Sequence, residues 1–120
     1  MQNTATIDLK MPERHKKILD HVLNKFIGNP HIDSIYLFGS CANGTATEKS
    51  DIDVFVVTNT NVVDDSHEVF KLLYGCTNDI PLDDYVDCDI ITASKEEFQQ
   101  NFFHLVNVVK RKGIKLYGVL

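Results

Sequence analysis

The 120-residue sequence has no apolar run that could cross a bilayer. Its longest apolar stretches, around Val54 to Val57 and Phe102 to Val109, are short or interrupted by His104 and Asn107. No transmembrane segment is expected. The N-terminus, MQNTATIDLKMPERHKK, lacks the basic region followed by an apolar run that a secretory signal needs, so a cytoplasmic location is expected. Cysteine is scarce: Cys41, Cys76 and Cys88 are odd in number, scattered and without a CxxC pair, which argues against a disulfide framework and a thiolate zinc site. The histidines, His15, His21, His31, His67 and His104, show no HxH or HExxH spacing, so a zinc centre is not expected either. A basic surplus is missing too. With 17 acidic and 12 basic side chains the net charge is −5, which disfavours a polynucleotide partner. A nucleotide ligand would then be small and would arrive with a metal ion that offsets the repulsion. No repeat, low-complexity segment or linker appears, and the length suits one domain over residues 1–120.

What is present reads as a mixed α/β chain. Apolar residues make up 43% and charged residues 24%, as in soluble globular domains. After Pro12 and Glu13, apolar residues at Ile18, Leu19, Val22, Leu23, Phe26 and Ile27 mark one face of a helix that Gly28-Asn29-Pro30 ends. IDSIYLF, residues 32–38, predicts a strand running into Gly39, followed by a polar loop, CANGTATEKS. Asp51 to Thr58 predicts a second strand, covered on both faces. A helix is expected between Val63 and Tyr74, stopped by Gly75, then a loop, CTNDIPLDD, and a third strand from Tyr85 to Thr92. Ser94 and Glu97 form a capping-box pattern for a helix continuing through Phe98, Phe102, Leu105, Val106 and Val109. Lys110, Arg111 and Lys112 suit that helix's C-terminal end, Gly113 can terminate it, and IKLYGVL predicts a last strand.

The chemistry concentrates in LFGSCANGTATEKSDIDVFVV. A strand ends in Gly39, where the backbone can turn sharply and present N–H groups outward, and Ser40 adds a hydroxyl donor; such groups cradle phosphate oxygens. Asp51 and Asp53 lie two apart on a strand, on one face with Cα atoms roughly 7 Å apart. Carboxylates held about 4 Å apart repel by about 4 kcal/mol at an effective dielectric near 20, so a cation belongs between them. Oxygen ligands with open positions suit Mg²⁺ or Mn²⁺. YVDCDIIT supplies two candidates for a third carboxylate, Asp87 and Asp89, which share a face, so periodicity leaves both open. Its surroundings favour Asp89, since Ile90 and Ile91 continue the strand inward. Each piece alone is ordinary; the combination is not. Cys41, beside Ser40, has no adjacent base and reads as a small buried side chain.

FGS, a ten-residue loop and SDIDVFVV together resemble the signature of the polymerase-β-like nucleotidyltransferase superfamily, in particular its minimal bacterial members. YVDCDIITASKEEF resembles that family's third-carboxylate strand and following helix, and GIKLYG its closing strand, so the resemblance spans nearly the whole chain. It implies the nucleotidyltransferase fold, a small mixed sheet flanked by helices. Position by position, it implies that Gly39 and Ser40 contact a nucleoside triphosphate, that Asp51 and Asp53 hold two Mg²⁺ ions, and that Asp89 rather than Asp87 completes the triad. Where family members often carry basic residues after the Gly-Ser, this chain has Cys41 and Asn43, and Lys49 is the only cation of the loop. The implied activity is transfer of a nucleoside monophosphate, AMP from ATP, to a hydroxyl acceptor with release of pyrophosphate. The implied partner is a separate helical protein, as in toxin-antitoxin pairs, or a second copy of the chain; the alternative is a catalytically weak nucleotide-binding protein that acts by covering such a partner.

Overall fold

The computed structural model describes residues 9–59, 67–101 and 103–118. Helix α1, Glu13–Phe26, buries the predicted stripe of Ile18, Leu19, Val22, Leu23 and Phe26, together with His15. Strand β1, Ile32–Phe38, follows and ends at Gly39. The expected polar loop begins instead with a single helical turn, α2, Ser40–Asn43. Strand β2 is Ile52–Thr58, so Asp51 stands one residue before it. Helix α3, His67–Tyr74, occupies the described part of the expected second helix; positions 63–66 lie outside the described residues. A 3₁₀ turn at Leu82–Asp84 interrupts the expected loop before strand β3, Cys88–Ser94. Helices α4, Lys95–Gln99, and α5, His104–Lys112, lead to strand β4, Ile114–Tyr117.

The strands form one sheet in the order β3-β2-β1-β4. β1 runs antiparallel to β2 and to β4, whereas β2 and β3 are parallel. β2 is central, and both of its faces are covered, as expected. Ile52, Val54 and Val56 join the core beneath α1 and α3. Phe55, Val57 and Ala93 join Val106 and Val109 on the other face, with half-buried Phe98 and Phe103 packed against them. Burying one side chain such as Phe55 removes enough apolar surface to stabilise the fold by roughly 2–3 kcal/mol.

Two sequence expectations are corrected. The third strand is shifted toward the C-terminus, at Cys88–Ser94 instead of Tyr85 to Thr92. Its ladder partner fixes it: Ile52 pairs with Cys88 and Thr58 with Ser94, so Tyr85, Val86 and Asp87 precede the first residue pair of the ladder, Asp87 adding only its carbonyl to the Ile52 amide. The helix expected to run through Val109 is broken. Its capping box forms, with Ser94 and Glu97 bonded reciprocally, but Asn101 adopts a left-handed φ of 52° and ends the first piece. Asparagine is the residue after glycine that best tolerates that conformation at a helix end. Lys110 then ties the two pieces together, donating to Asn101 Oδ1 at 2.7 Å and lying 4.8 Å above the Phe98 ring. Gly113 does end α5, where a Cβ would come within 2.6 Å of the Val109 carbonyl oxygen.

Candidate active site

β1 ends where β2, β3 and β4 begin, and this end of the sheet gathers the predicted residues. Gly39 caps α2 with φ 74° and ψ −156°, a conformation essentially reserved for glycine. A Cβ at Gly39 would overlap the Asp53 carboxylate, whose Cγ would lie only 3.3 Å away. The glycine turn and the aspartate are therefore in direct apposition. The amide of Ala42 bonds back to the Gly39 carbonyl, and that of Thr45 to the Ser40 carbonyl. Ser40 opens α2, where the first amides have no acceptor within the helix.

Asp53 faces its register partner Asp89 across the parallel β2–β3 pair, with Asp51 two residues before it. Burial raises the pKa of the half-buried Asp53 carboxyl, and the negative charges of Asp89 and then Asp51 raise it further. Asp51 and Asp89 are exposed. Asp87, the other candidate, has a different environment: its carbonyl accepts from the Ile52 amide at 2.8 Å, and its side chain lies near the Tyr85 hydroxyl, whose pKa it pushes up. The structure brings Asp51, Asp53 and Asp89 together and leaves Asp87 outside. Among the described residues no group of three or more His, Cys, Asp or Glu side chains is arranged as a ready-made metal site. In their chemistry, oxygen ligands at an exposed strand end are of the kind that holds Mg²⁺ when substrate phosphates supply the remaining ligands.

The unusual neighbours of the Gly-Ser turn have structural work. Cys41 is buried as expected, and its Sγ donates to the Asp51 carbonyl at 3.5 Å. Burial and the nearby Asp53 and Asp51 charges push its thiol pKa up to about 11, so it is no nucleophile. Asn43 Oδ1 accepts from the Thr45 amide at 3.1 Å and from its hydroxyl at 2.6 Å, folding the loop on itself. Residues that sequence reasoning did not connect to this site reach it from the N-terminal part of the chain. Arg14 pairs with Glu48 at 3.2 Å, the Lys10 side chain lies alongside Gly44, and His15 Nε2 donates to the Ser50 carbonyl at 2.7 Å. No local pattern announces contacts across more than thirty residues. A cavity of about 380 Å³ lies elsewhere, between α1 and residues 79–84, and borders none of the three carboxylates.

The polymerase β nucleotidyltransferase family matches residues 20–113. The chain belongs to this family. Its nucleotidyltransferase fold is shared with solved toxin-antitoxin structures. One, a toxin-antitoxin crystallised with AMP-PNP, is 28% identical, with 90% of this chain aligned to 75% of that one at a TM-score of 0.52. Another, a mutant of the toxin-antitoxin MntA-HpeT carrying two aspartate-to-glutamate changes two positions apart, is 26% identical over the same shares, with a TM-score of 0.51. No curated protein matches the chain. No helix of the described residues is long and apolar enough to cross a membrane.

Proposed function

We propose that this chain is a Mg²⁺-dependent nucleotidyltransferase that moves AMP from ATP to a hydroxyl group on a partner protein, releasing pyrophosphate. One observation carries the reading: the parallel register sets Asp89 opposite Asp53, with Asp51 two positions away, and burial together with those two neighbouring charges raises the Asp53 pKa. A concentration of oxygen-only negative charge fits a hard divalent cation, which relieves the repulsion that a proton otherwise would. Asp51 and Asp53 would hold the metal, with Asp89 as the third ligand. When bound, Mg²⁺ or Mn²⁺ supplies charge neutralisation and polarisation at the phosphoryl oxygens.

The protein's own groups account for the rest. Gly39, without a side chain, lets phosphate approach the α2 backbone beside Asp53, and Ser40 donates to phosphate oxygen. Asp89, exposed at the start of the edge strand β3, is open to an incoming hydroxyl and accepts its proton as the acceptor oxygen bonds to the α-phosphorus. The bond from that phosphorus to the bridging oxygen breaks, and pyrophosphate leaves. The likeness to toxin-antitoxin structures, one of them with AMP-PNP, supports a protein partner and an adenine nucleotide. A helical partner protein is the acceptor we favour over a second copy of the chain.

The alternative is a protein that binds nucleotide weakly and acts by covering its partner. It is favoured by Cys41 and Asn43, which fold the loop and leave no cation directly after Ser40. Incubation with labelled ATP, Mg²⁺ and partner or lysate separates the two. The enzyme reading expects transfer of label, abolished by Asp53→Ala. It is lost if no metal or nucleotide supports transfer while the partner complex forms equally well with Asp53→Ala.

A further inference from the structure

Asp51 is an exposed side chain one residue outside the β2 ladder, yet its backbone is held on every side. The amide of Ile52 donates to the Asp87 carbonyl, Cys41 Sγ donates to the carbonyl of Asp51 itself, and the carbonyl just before it, that of Ser50, accepts from His15 Nε2 at 2.7 Å. The last contact comes from α1, 35 residues away in sequence. His15 lies on the helix's buried stripe, one turn before Ile18 and Leu19, and is fully buried. A carbonyl only accepts, so Nε2 carries the proton. The other ring nitrogen, Nδ1, is buried with no hydrogen-bond partner among the described residues. An unpaired polar atom in a core is unfavourable, and an apolar side chain would avoid it. What the imidazole adds over an apolar side chain is the one hydrogen bond to Ser50. On the preceding residue, Arg14 reaches Glu48 of the same loop. The first turn of α1 thus grips the loop immediately before the first carboxylate.

We infer that His15 is a positioning residue: through the Ser50 carbonyl it fixes Asp51 in the geometry that binds the divalent cation. The inference rests on the metal role proposed for Asp51 and Asp53. Groups that orient metal ligands from behind typically influence affinity or activity by 10–100-fold. The test is Mn²⁺ binding by electron paramagnetic resonance, with a non-hydrolysable ATP analogue present, alongside the Mg²⁺ dependence of transfer. His15→Phe and His15→Leu fill the core without a donor, whereas His15→Gln retains an N–H at similar reach. The expected result is a metal dissociation constant about 10-fold weaker in the Phe and Leu variants, with kcat at saturating metal reduced far less, and recovery to within about 2-fold in His15→Gln. A packing role alone would lower the unfolding temperature and leave the metal constant unchanged, which overturns the inference. If neither apolar variant folds, His15→Asn, whose side chain is too short to reach the Ser50 carbonyl, takes their place: a metal constant about 10-fold weaker than that of His15→Gln upholds the inference, and an equal one overturns it. Equal Mn²⁺ binding by the wild type and Asp53→Ala would remove the metal site itself. Loss in Asp53→Ala with unchanged affinity in His15→Phe would remove only the role of His15.

Discussion

Replacing Asp53 by asparagine should stabilise the metal-free fold while destroying the proposed activity. The substitution keeps the shape and removes one of three crowded charges. Strands of a sheet lie about 4.8 Å apart, so the carboxyl groups of register partners fall roughly 6 Å apart, where two unit charges repel by ~3 kcal/mol at an effective dielectric of 20. Asp53 is only half-buried and Asp89 is exposed, so solvent screens most of this. About 1 kcal/mol of relief should remain after that discount. For a domain of this size it corresponds to an unfolding temperature about 4 °C higher. The measurement is thermal unfolding by circular dichroism in EDTA at pH 7. Because the folded-state pKa of Asp53 is raised, the wild type keeps its full stability only below the ordinary carboxyl value of 3.8 and loses part of it as pH rises through the folded value. The advantage of Asp53→Asn should therefore be largest at neutral pH and shrink on acidification. With Mg²⁺ and nucleotide at about 100 times their dissociation constant, the order should reverse, since the wild type gains ~2.7 kcal/mol from ligand binding and the variant gains little. A variant no more stable than the wild type in EDTA at pH 7 would refute the picture of mutually repelling carboxylates.

Gly39→Ala places a side chain at φ 74° and against Asp53; it should lower stability by roughly 2 kcal/mol in chemical denaturation and weaken Mn²⁺ binding together. The thiols of Cys41 and Cys76, each raised from 9.0 to about 11 chiefly by burial, should alkylate about 100-fold more slowly than in the unfolded chain at pH 8, as followed by mass spectrometry. For the same reason the stability they contribute is complete below pH 9 and is lost as pH rises through about 11. Half-saturating Mg²⁺ for transfer should fall as pH rises from 4.5 and then level off, because protons compete with the cation for Asp53; a constant value across that range would separate Asp53 from metal binding.

Much of this architecture was legible because it is written in local periodicities. The α1 stripe of Ile18, Leu19, Val22 and Leu23, the IDSIYLF strand and the doubly covered β2 depend on spacing within a dozen residues, and so does the Ser94–Glu97 cap. The pairing of Asp51 with Asp53 is legible for the same reason. The single turn of α2 was not, since four residues carry no period, and neither was the break at Asn101, where one backbone angle outweighs a continuing apolar pattern.

The choice between Asp87 and Asp89 shows where spacing stops and topology begins. Both lie on one face of an extended segment, and a strand drawn from Tyr85 would have offered them equally to Asp53. Register sets the two apart: β3 starts pairing only at Cys88, opposite Ile52, so Asp89 comes beside Asp53 while Asp87 contributes a carbonyl to the ladder and keeps its carboxylate near Tyr85. A parallel pair is required for this. Had β3 run the other way with its chain start at the far end, its first residues would sit opposite Thr58, remote from Gly39, and the same sequence would present two separated acidic clusters. The contacts that hold the site from behind, His15 to Ser50 and Cys41 to Asp51, follow from the same docking of α1 and α2 against the sheet. They are consequences of tertiary packing, which is why a buried histidine and an unreactive cysteine gave no sign in the sequence of lying behind a cluster of carboxylates.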